Sequence, residues 1–487
     1  MIVPDADYPT LSKADMDKLV EQSSTSLIET ITSPFILGVT AFSIFGQFGI
    51  NKIIGKSKDT DGEEVSSLAQ NGFLSLLKWT NPAGAKVPKG YARFADDNAV
   101  ATLEHFLRSN PFFAASLVSD GSGYAIKSKD RSNRFSSVIS VMDPTLDLVD
   151  AQFDSKLRLT KISYVGKGRE LKEKTDINLA AAKLCWNLLL VAETIHVTLH
   201  IHNYVLTVGL VHATLKDPVL LKWAKAFVYN LDTAVAGVDD KLLSPTQGAL
   251  VVSPSKSDHE KLVNYIRNDY LVPWGKMKKS EDFLNWLITP SLQKKLKSGN
   301  FITEFFEHAT YIKGYANDLT QALKTSTSPE SYQTAEERLG DFLSSIGSKK
   351  GNLCSISTFQ SWIEIMAVTG LLHGHTTSWT RLTFTSDYYR YVNRNPTYTK
   401  DDAAFIGLAS VTNCLTQKDK YVFNNKGAFP TRAIQEAISV YDQKTKARKE
   451  FYYNKLKNEE FLNQYGWIYG DYFPDNFDAR SVAITYY

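Results

Sequence analysis

The sequence predicts a mainly α-helical fold: one large helical domain built around a central buried helix, with a small β ribbon beside it. Three observations predict this. Residues 184–215 run for 32 positions with one acid, Glu193, and a helix that is apolar all round is either buried in a large protein or spans a membrane. The same run holds His196, His200, His202 and His212; histidines are costly inside a bilayer, so the protein interior is the better home. Apolar residues recur at three- and four-residue spacing in 227–243, 260–269, 281–296, 304–323, 335–346, 359–372 and 432–458, the period of amphipathic helices. Strand-like alternation is confined to 135–142 (FSSVISVM) and 157–165 (LRLTKISYV), which read as a small sheet or paired ribbon.

Gly-, Ser- and Asp-rich stretches at 55–64, 119–133, 324–331 and 347–352 read as loops. The first hundred residues read as helices and loops, giving an N-terminal helical segment over 1–75 packed on a large helical domain over 76–487. Within that segment, 30–51 carries no charge over 22 residues but includes Pro34, three glycines and Gln47. These lower its transfer energy and favour a buried or interfacial helix, with membrane-surface contact and a true anchor as alternatives. The lysines within 276–297 read as a solvated helical face.

The chain has 487 residues, 43% hydrophobic and 22% charged, enough for a sizeable core. Lys+Arg at 55 against Asp+Glu at 52 gives +3, a balance that argues against nucleic-acid binding by bulk charge. Cys185, Cys354 and Cys414 make no disulfide framework and no CxxC pair. The acidic, polar start MIVPDADYPTLSKADMDK lacks a basic stub and apolar core, so a cytoplasmic protein, with possible membrane association through 30–51, is expected.

Six of the nine histidines lie in two places: the four above, and His373 and His375 in TGLLHGHTTSW. One buried histidine is usually a satisfied core residue; four on one buried helix each need a partner or pay a desolvation cost of about 1–3 kcal/mol. His196 and His200 fall about 40° apart on a helix, and Asn203 returns to within about 20° of His196. His202 points about 120° away and His212 is nearly opposite. An i,i+4 pair can present two imidazoles to one divalent ion, with His373 or His375 the available third donor.

Several other chemistries lack their motifs. HVTLH is not HExxH, one Glu-x-x-His (Glu193 to His196) is not the pair a di-iron bundle needs, and GxSxG, GxGxxG and GxxxxGK[ST] are absent. What remains is a mononuclear, histidine-rich site with open positions, suited to iron or manganese and oxygen chemistry.

At six places in order, the chain resembles lipoxygenases. DDNAVATLEHFLRSNPFFAASL (96–117) is similar to a Phe-Leu…Asn-Pro segment of that family, with Phe106, Leu107, Asn110 and Pro111 in step. AAAKLCWNLLLVAETIHVTLHIH (180–202) resembles the helix bearing the first two metal histidines, and KDPVLLKWAKAFVYN (216–230) the stretch after it. FQSWIEIMAVTGLLHGHTTSW (359–379) resembles the second metal helix, YVNRNPTYTKDD (391–402) a later Pro-rich segment, and LNQYGWIYGDYFPDNFDARSVAI (462–484) the C-terminal signature. The family's N-terminal β-barrel module has no counterpart, so the likeness is to the catalytic domain alone.

The resemblance implies one Fe, or alternatively Mn, per chain, held by His196, His200 and His373, with His375 the fallback for the third ligand. Three residues separate the first pair, where most of the family has four; this is closer to its manganese-using fungal members. The family's Asn ligand would fall on Thr377, leaving that position open, water-filled or served by Asn203. The family ends on a ligating Ile carboxylate, whereas Ile484 is followed by Thr485, Tyr486 and Tyr487. Either the Tyr487 carboxylate reaches the metal or that ligand is lost.

By resemblance, the implied activity is a dioxygenase that removes hydrogen from a polyunsaturated fatty acid and adds O2, giving a lipid hydroperoxide. Two alternatives stand beside it. One is altered chemistry on the same fold, as a hydroperoxide isomerase or an oxidase of another apolar substrate. The other is a metal-free relative that binds lipid or protein. The implied partners are a long apolar substrate and O2, with no nucleic acid.

Overall fold

The structure, a computed structural model, describes residues 99–109, 111–129, 138–141, 148–165, 171–227, 261–262, 265, 277–296, 301–350, 356–376 and 431–456. In chain order the elements are α1 (Ala99–Ser109), α2 (Pro111–Ala114), β1 (Val118–Asp120), β2 (Gly123–Ile126), β3 (Val149–Phe153), β4 (Leu159–Tyr164), α3 (Lys174–Thr214), α4 (Pro218–Phe227), α5 (Ser280–Leu287), α6 (Pro290–Lys295), α7 (Phe301–Ser326), α8 (Pro329–Lys350), α9 (Phe359–Thr376) and α10 (Arg432–Leu456). The mainly helical class is as the sequence predicts. The proposed N-terminal segment, and with it 30–51, lies outside the described residues, as do the expected loop at 55–64 and 228–243 of an expected helix. Among the described residues, no helix is long and apolar enough to cross a membrane.

The central helix α3 spans 41 residues, about 60 Å at 1.5 Å per residue. It packs against α1, α2, α4, α8, α9, β3 and β4, which is what an apolar surface on every side requires. Leu188, Leu190, Val191, Ile195, Leu206 and Leu210 are fully buried along it. At Gly209 the missing side chain lets α8 come close. A Cβ there would lie 3.2 Å from both Leu343 Cδ2 and Phe342 Cδ1, and 3.3 Å from Leu339 Cδ1.

Around this spine, polar side chains fix where helices begin. The Asp217 carboxylate caps α4, accepting the Val219 and Leu220 amides at 2.9 and 2.8 Å. It also accepts the Thr327 hydroxyl at 2.7 Å, tying α4 to the α7–α8 junction. Ser328 caps α8. Thr431, at the head of α10, shares a 2.7 Å hydroxyl–hydroxyl bond with Ser326. Beyond it, α10 lies on α7 through a Tyr441–Tyr315 stack.

Several boundaries differ from the sequence reading, each for a local reason. The expected helix 281–296 is two helices, because Pro290 has no amide to continue the ladder and starts α6 as its first residue. The expected loop at 324–331 shrinks to Thr327 and Ser328, and Gly347–Lys350 of the expected loop at 347–352 continues α8. Of FSSVISVM, the described residues 138–141 form a helical turn closed by the Val141 amide on the Val138 carbonyl at 3.2 Å. Val138 and its immediate neighbour Ile139 are both buried, which strand alternation does not give.

The second expected strand is present as β4, and it edges a four-stranded antiparallel meander in the order β1-β2-β3-β4. Part of the stretch read as a loop at 119–133 is its first hairpin. Asp120 pairs with Gly123, leaving Gly121 and Ser122 as a two-residue turn in which Gly121 takes φ +54°, the left-handed region that glycine reaches without penalty. Gly123 is needed for another reason: a Cβ there would run into the Phe153 carbonyl. Three hydrogen bonds fasten the hairpin to α6. The Lys295 ammonium donates to the Gly121 carbonyl at 3.0 Å and to that of Gly123, and the Tyr124 hydroxyl donates to the Lys295 carbonyl at 3.1 Å. Lys295 thus leaves the solvated lysine face that the sequence suggested, while Lys278, Lys279 and Lys294 are exposed.

Candidate functional site

The expected site residues fall on two helices, α3 and α9. His196, His200 and Asn203 are α3 positions; His373 and His375 are α9 positions. Their side chains lie outside the described residues, as do Thr377 and Tyr487 altogether. Among the described residues, no cluster of three His, Cys, Asp or Glu stands where it could hold a metal ion. The structure therefore places the helices, and the helices are in contact.

The entry of α9 is set by its neighbours. Thr358 accepts the Ser361 amide at 3.2 Å, and the Phe359 amide donates to Glu336 Oε1 of α8 at 2.9 Å. The same carboxylate oxygen accepts the Tyr332 hydroxyl at 3.0 Å. Burial first, then the charge of Glu336 and this bond, push the Tyr332 hydroxyl far above its ordinary range. Tyr332 therefore stays a neutral donor. Phe359 meets both Tyr332 and Trp223 edge-on.

Two buried residues define opposite sides of α9. The Trp362 indole donates to the Leu206 carbonyl of α3 at 2.8 Å, and both residues are wholly buried. Glu364, 4% exposed, faces α5 instead: it accepts the Ser280 hydroxyl at 3.2 Å and the Gln360 amide at 3.3 Å. Helical phase extends these two directions along α9. His373 comes about 20° from Trp362, and His375 about 20° from Glu364, at ~100° per residue.

The order of contacts gives a direction. Just ahead of α9, Ser357 lies against Gly340 of α8, whose neighbours Leu339 and Phe342 crowd Gly209 of α3. Five residues on, Trp362 reaches Leu206. The first of these links runs through α8 and the second joins α9 to α3 directly, which together point α9 toward the N-terminus of α3. From this bond, His373 is about 16 Å further along α9 and His196 about 15 Å back along α3.

Trp362, Glu336 and Glu364 were not anticipated as part of this region. A signal for Trp362 was present, since a Trp in an apolar helix needs a partner for its N–H when buried. No sequence signal identifies which carbonyl it finds. His212, excluded from the metal face by its angle, is exposed at the end of α3 and stacks on Phe342 at 4.9 Å.

No family profile and no curated protein matches the chain. Solved structures do. Delta413-417:GS LOX matches at TM-score 0.61 and 10% identity, over 96% of this chain and 78% of that one. The same LOX in complex with arachidonate, determined anaerobically, matches at 0.60 and 11% identity, over 98% and 78%. Coral 8R-lipoxygenase matches at 0.51 and 11%, over 83% and 69%. With its helices, its antiparallel sheet and its central helix in place, the chain has a lipoxygenase-like fold.

Proposed function

We propose that the chain is a non-haem metal dioxygenase of polyunsaturated fatty acids, with one iron or manganese held by His196 and His200 of α3 and His373 of α9. The observation that carries this is the Trp362–Leu206 bond. It holds Trp362 of α9 against α3, and a residue eleven positions on returns to nearly the same helical phase, which supports His373 as the α9 ligand. His375 shares the phase of Glu364, on the side of α5, which favours His373 as the third ligand. Asn203 and Thr377 are the reserve ligands, and the Tyr487 carboxylate is the proposed acidic one.

The donor set fits the group. Neutral imidazoles and a carboxylate suit iron or manganese cycling between two oxidation states. When bound, such a metal would supply one-electron oxidation of a weak C–H bond, as in a methylene between two cis double bonds. The chain's share is to hold the imidazoles on two packed helices, to keep bulk water out, and to seat a long apolar substrate so that O2 meets one carbon. Support for a lipid substrate comes from the fold it shares with the arachidonate-bound LOX. A cytoplasmic location, with membrane contact through 30–51 as the alternative to a buried or interfacial helix there, completes the proposal.

The test is metal analysis of the full chain after anaerobic loading with Fe2+ or Mn2+, then conjugated-diene absorbance with linoleate or arachidonate and O2. One metal per chain and diene formation are expected. His200→Ala and His373→Ala should both lose the metal, while His375→Ala should keep it. Loss with His375→Ala and retention with His373→Ala would refute the choice of face. No metal uptake by the wild-type chain would refute the function.

A further inference from the structure

We infer that Trp362 is a positioning residue that fixes the register of the two proposed metal helices; this rests on the function just proposed. Packed apolar helices keep their register through many interdigitated dispersion contacts, no one of which ties a given residue to a single partner atom. A hydrogen bond to a main-chain carbonyl is different. It ties one residue of α9 to one height on α3. The Trp362 indole makes that tie at 2.8 Å to Leu206, within the ordinary N–H···O range and in a setting where both residues are fully buried.

Three features make this bond a register pin rather than ordinary packing. It comes from the helical face of α9 on which position 373 falls. The indole is wedged from behind by Trp223, edge-on at 6.1 Å, so the ring has little room to turn. The start of α9 is separately held by the Phe359 amide on Glu336. Sliding α9 by one residue, about 1.5 Å, would break the indole bond and carry a ligand at 373 out of reach of one at 196 or 200. Metal sites tolerate errors of only about 0.5 Å.

The experiment uses the full chain, stripped of metal and titrated with Mn2+, with affinity and the electron paramagnetic resonance spectrum of the bound ion as readouts. Trp362→Phe removes the N–H. Ile438→Ala, a loss of buried volume on α10 where it packs on α7, controls for simple destabilisation. Replacing Trp362 by 3-benzothienylalanine keeps shape and volume without the donor, should the Phe variant fold poorly. The expected result is a tenfold or greater loss of Mn2+ affinity, with a changed spectrum, for both Trp362 variants but not for Ile438→Ala. Unchanged affinity and spectrum in a folded Trp362 variant would overturn the inference while leaving the proposed function standing. Failure of the wild-type chain to take up either Mn2+ or Fe2+ would overturn both.

Discussion

Replacing Gly209 tests how closely α8 is seated on the central helix. Gly to Ala in the middle of a helix ordinarily gains about 1 kcal/mol through backbone entropy. Against that, the new methyl at Gly209 would stand 3.2–3.3 Å from three side-chain carbons, inside the 3.5–4.0 Å optimum. Overpacking of this kind costs about 1–3 kcal/mol. Leu339 and Leu343 are fully buried and cannot swing aside, while Phe342 is held against His212. The steric cost should win. Gly209→Ala is expected to lose about 1 kcal/mol, and Gly209→Val about 3 kcal/mol, since it adds two more carbons and a stiff χ1. Urea unfolding followed by far-ultraviolet circular dichroism, compared at equal m-value, measures both. A Gly209→Ala midpoint raised by the full propensity gain would show that α8 can retreat, and would refute the close seam.

Other substitutions probe different parts of the frame. Burial alone would raise the Asp217 carboxyl, but bonds from Leu220, Thr327, Ser331 and Val219 outweigh it and hold it below its usual 3.8. Its contribution to stability is therefore complete above about pH 4 and is lost as pH falls through the depressed folded value. Asp217→Ala should cost about 1 kcal/mol at neutral pH, with the gap to wild type closing in acid; a gap constant down to about pH 2 would contradict this. Gly123→Ala must displace the Phe153 carbonyl and should destabilise by more than about 2 kcal/mol, read as a lowered thermal midpoint.

How much of this was readable beforehand varies with the length scale of the signal. The central helix was plain, because 32 nearly uncharged residues admit few structures. The strands were not. β1 to β4 have three to six residues each, and β2 is buried on both faces, so Gly123–Ile126 shows no alternation to detect. Pro290 was a visible stop that periodicity alone overrode. At the site, angles sorted His196 and His200 from His202 and His212, because they depend only on one helix. The proposal of His373 over His375 rests on the neighbours of α9. Among the described residues, the bonds of Trp362 to Leu206 and of Glu364 to Ser280 show which side of that helix faces which partner at those positions.

The position of the paired histidines within α3 has a physical logic of its own. Position 196 is 22 residues from Lys174 and 18 from Thr214, whereas helix ends fray and open at low cost. The proposed ligands at mid-helix ride on backbone whose opening requires breaking contacts with the elements packed around α3, several of them full helices. The α9 partner is different, for position 373 sits three residues from the end of its helix at Thr376. The histidine of α9 is thus on the more deformable of the two supports. An anchor well upstream, where Trp362 and Phe359 are wholly buried, is where α9 can be held most firmly. Variation upstream on α9 should then alter metal affinity more than comparable variation near the ends of α3.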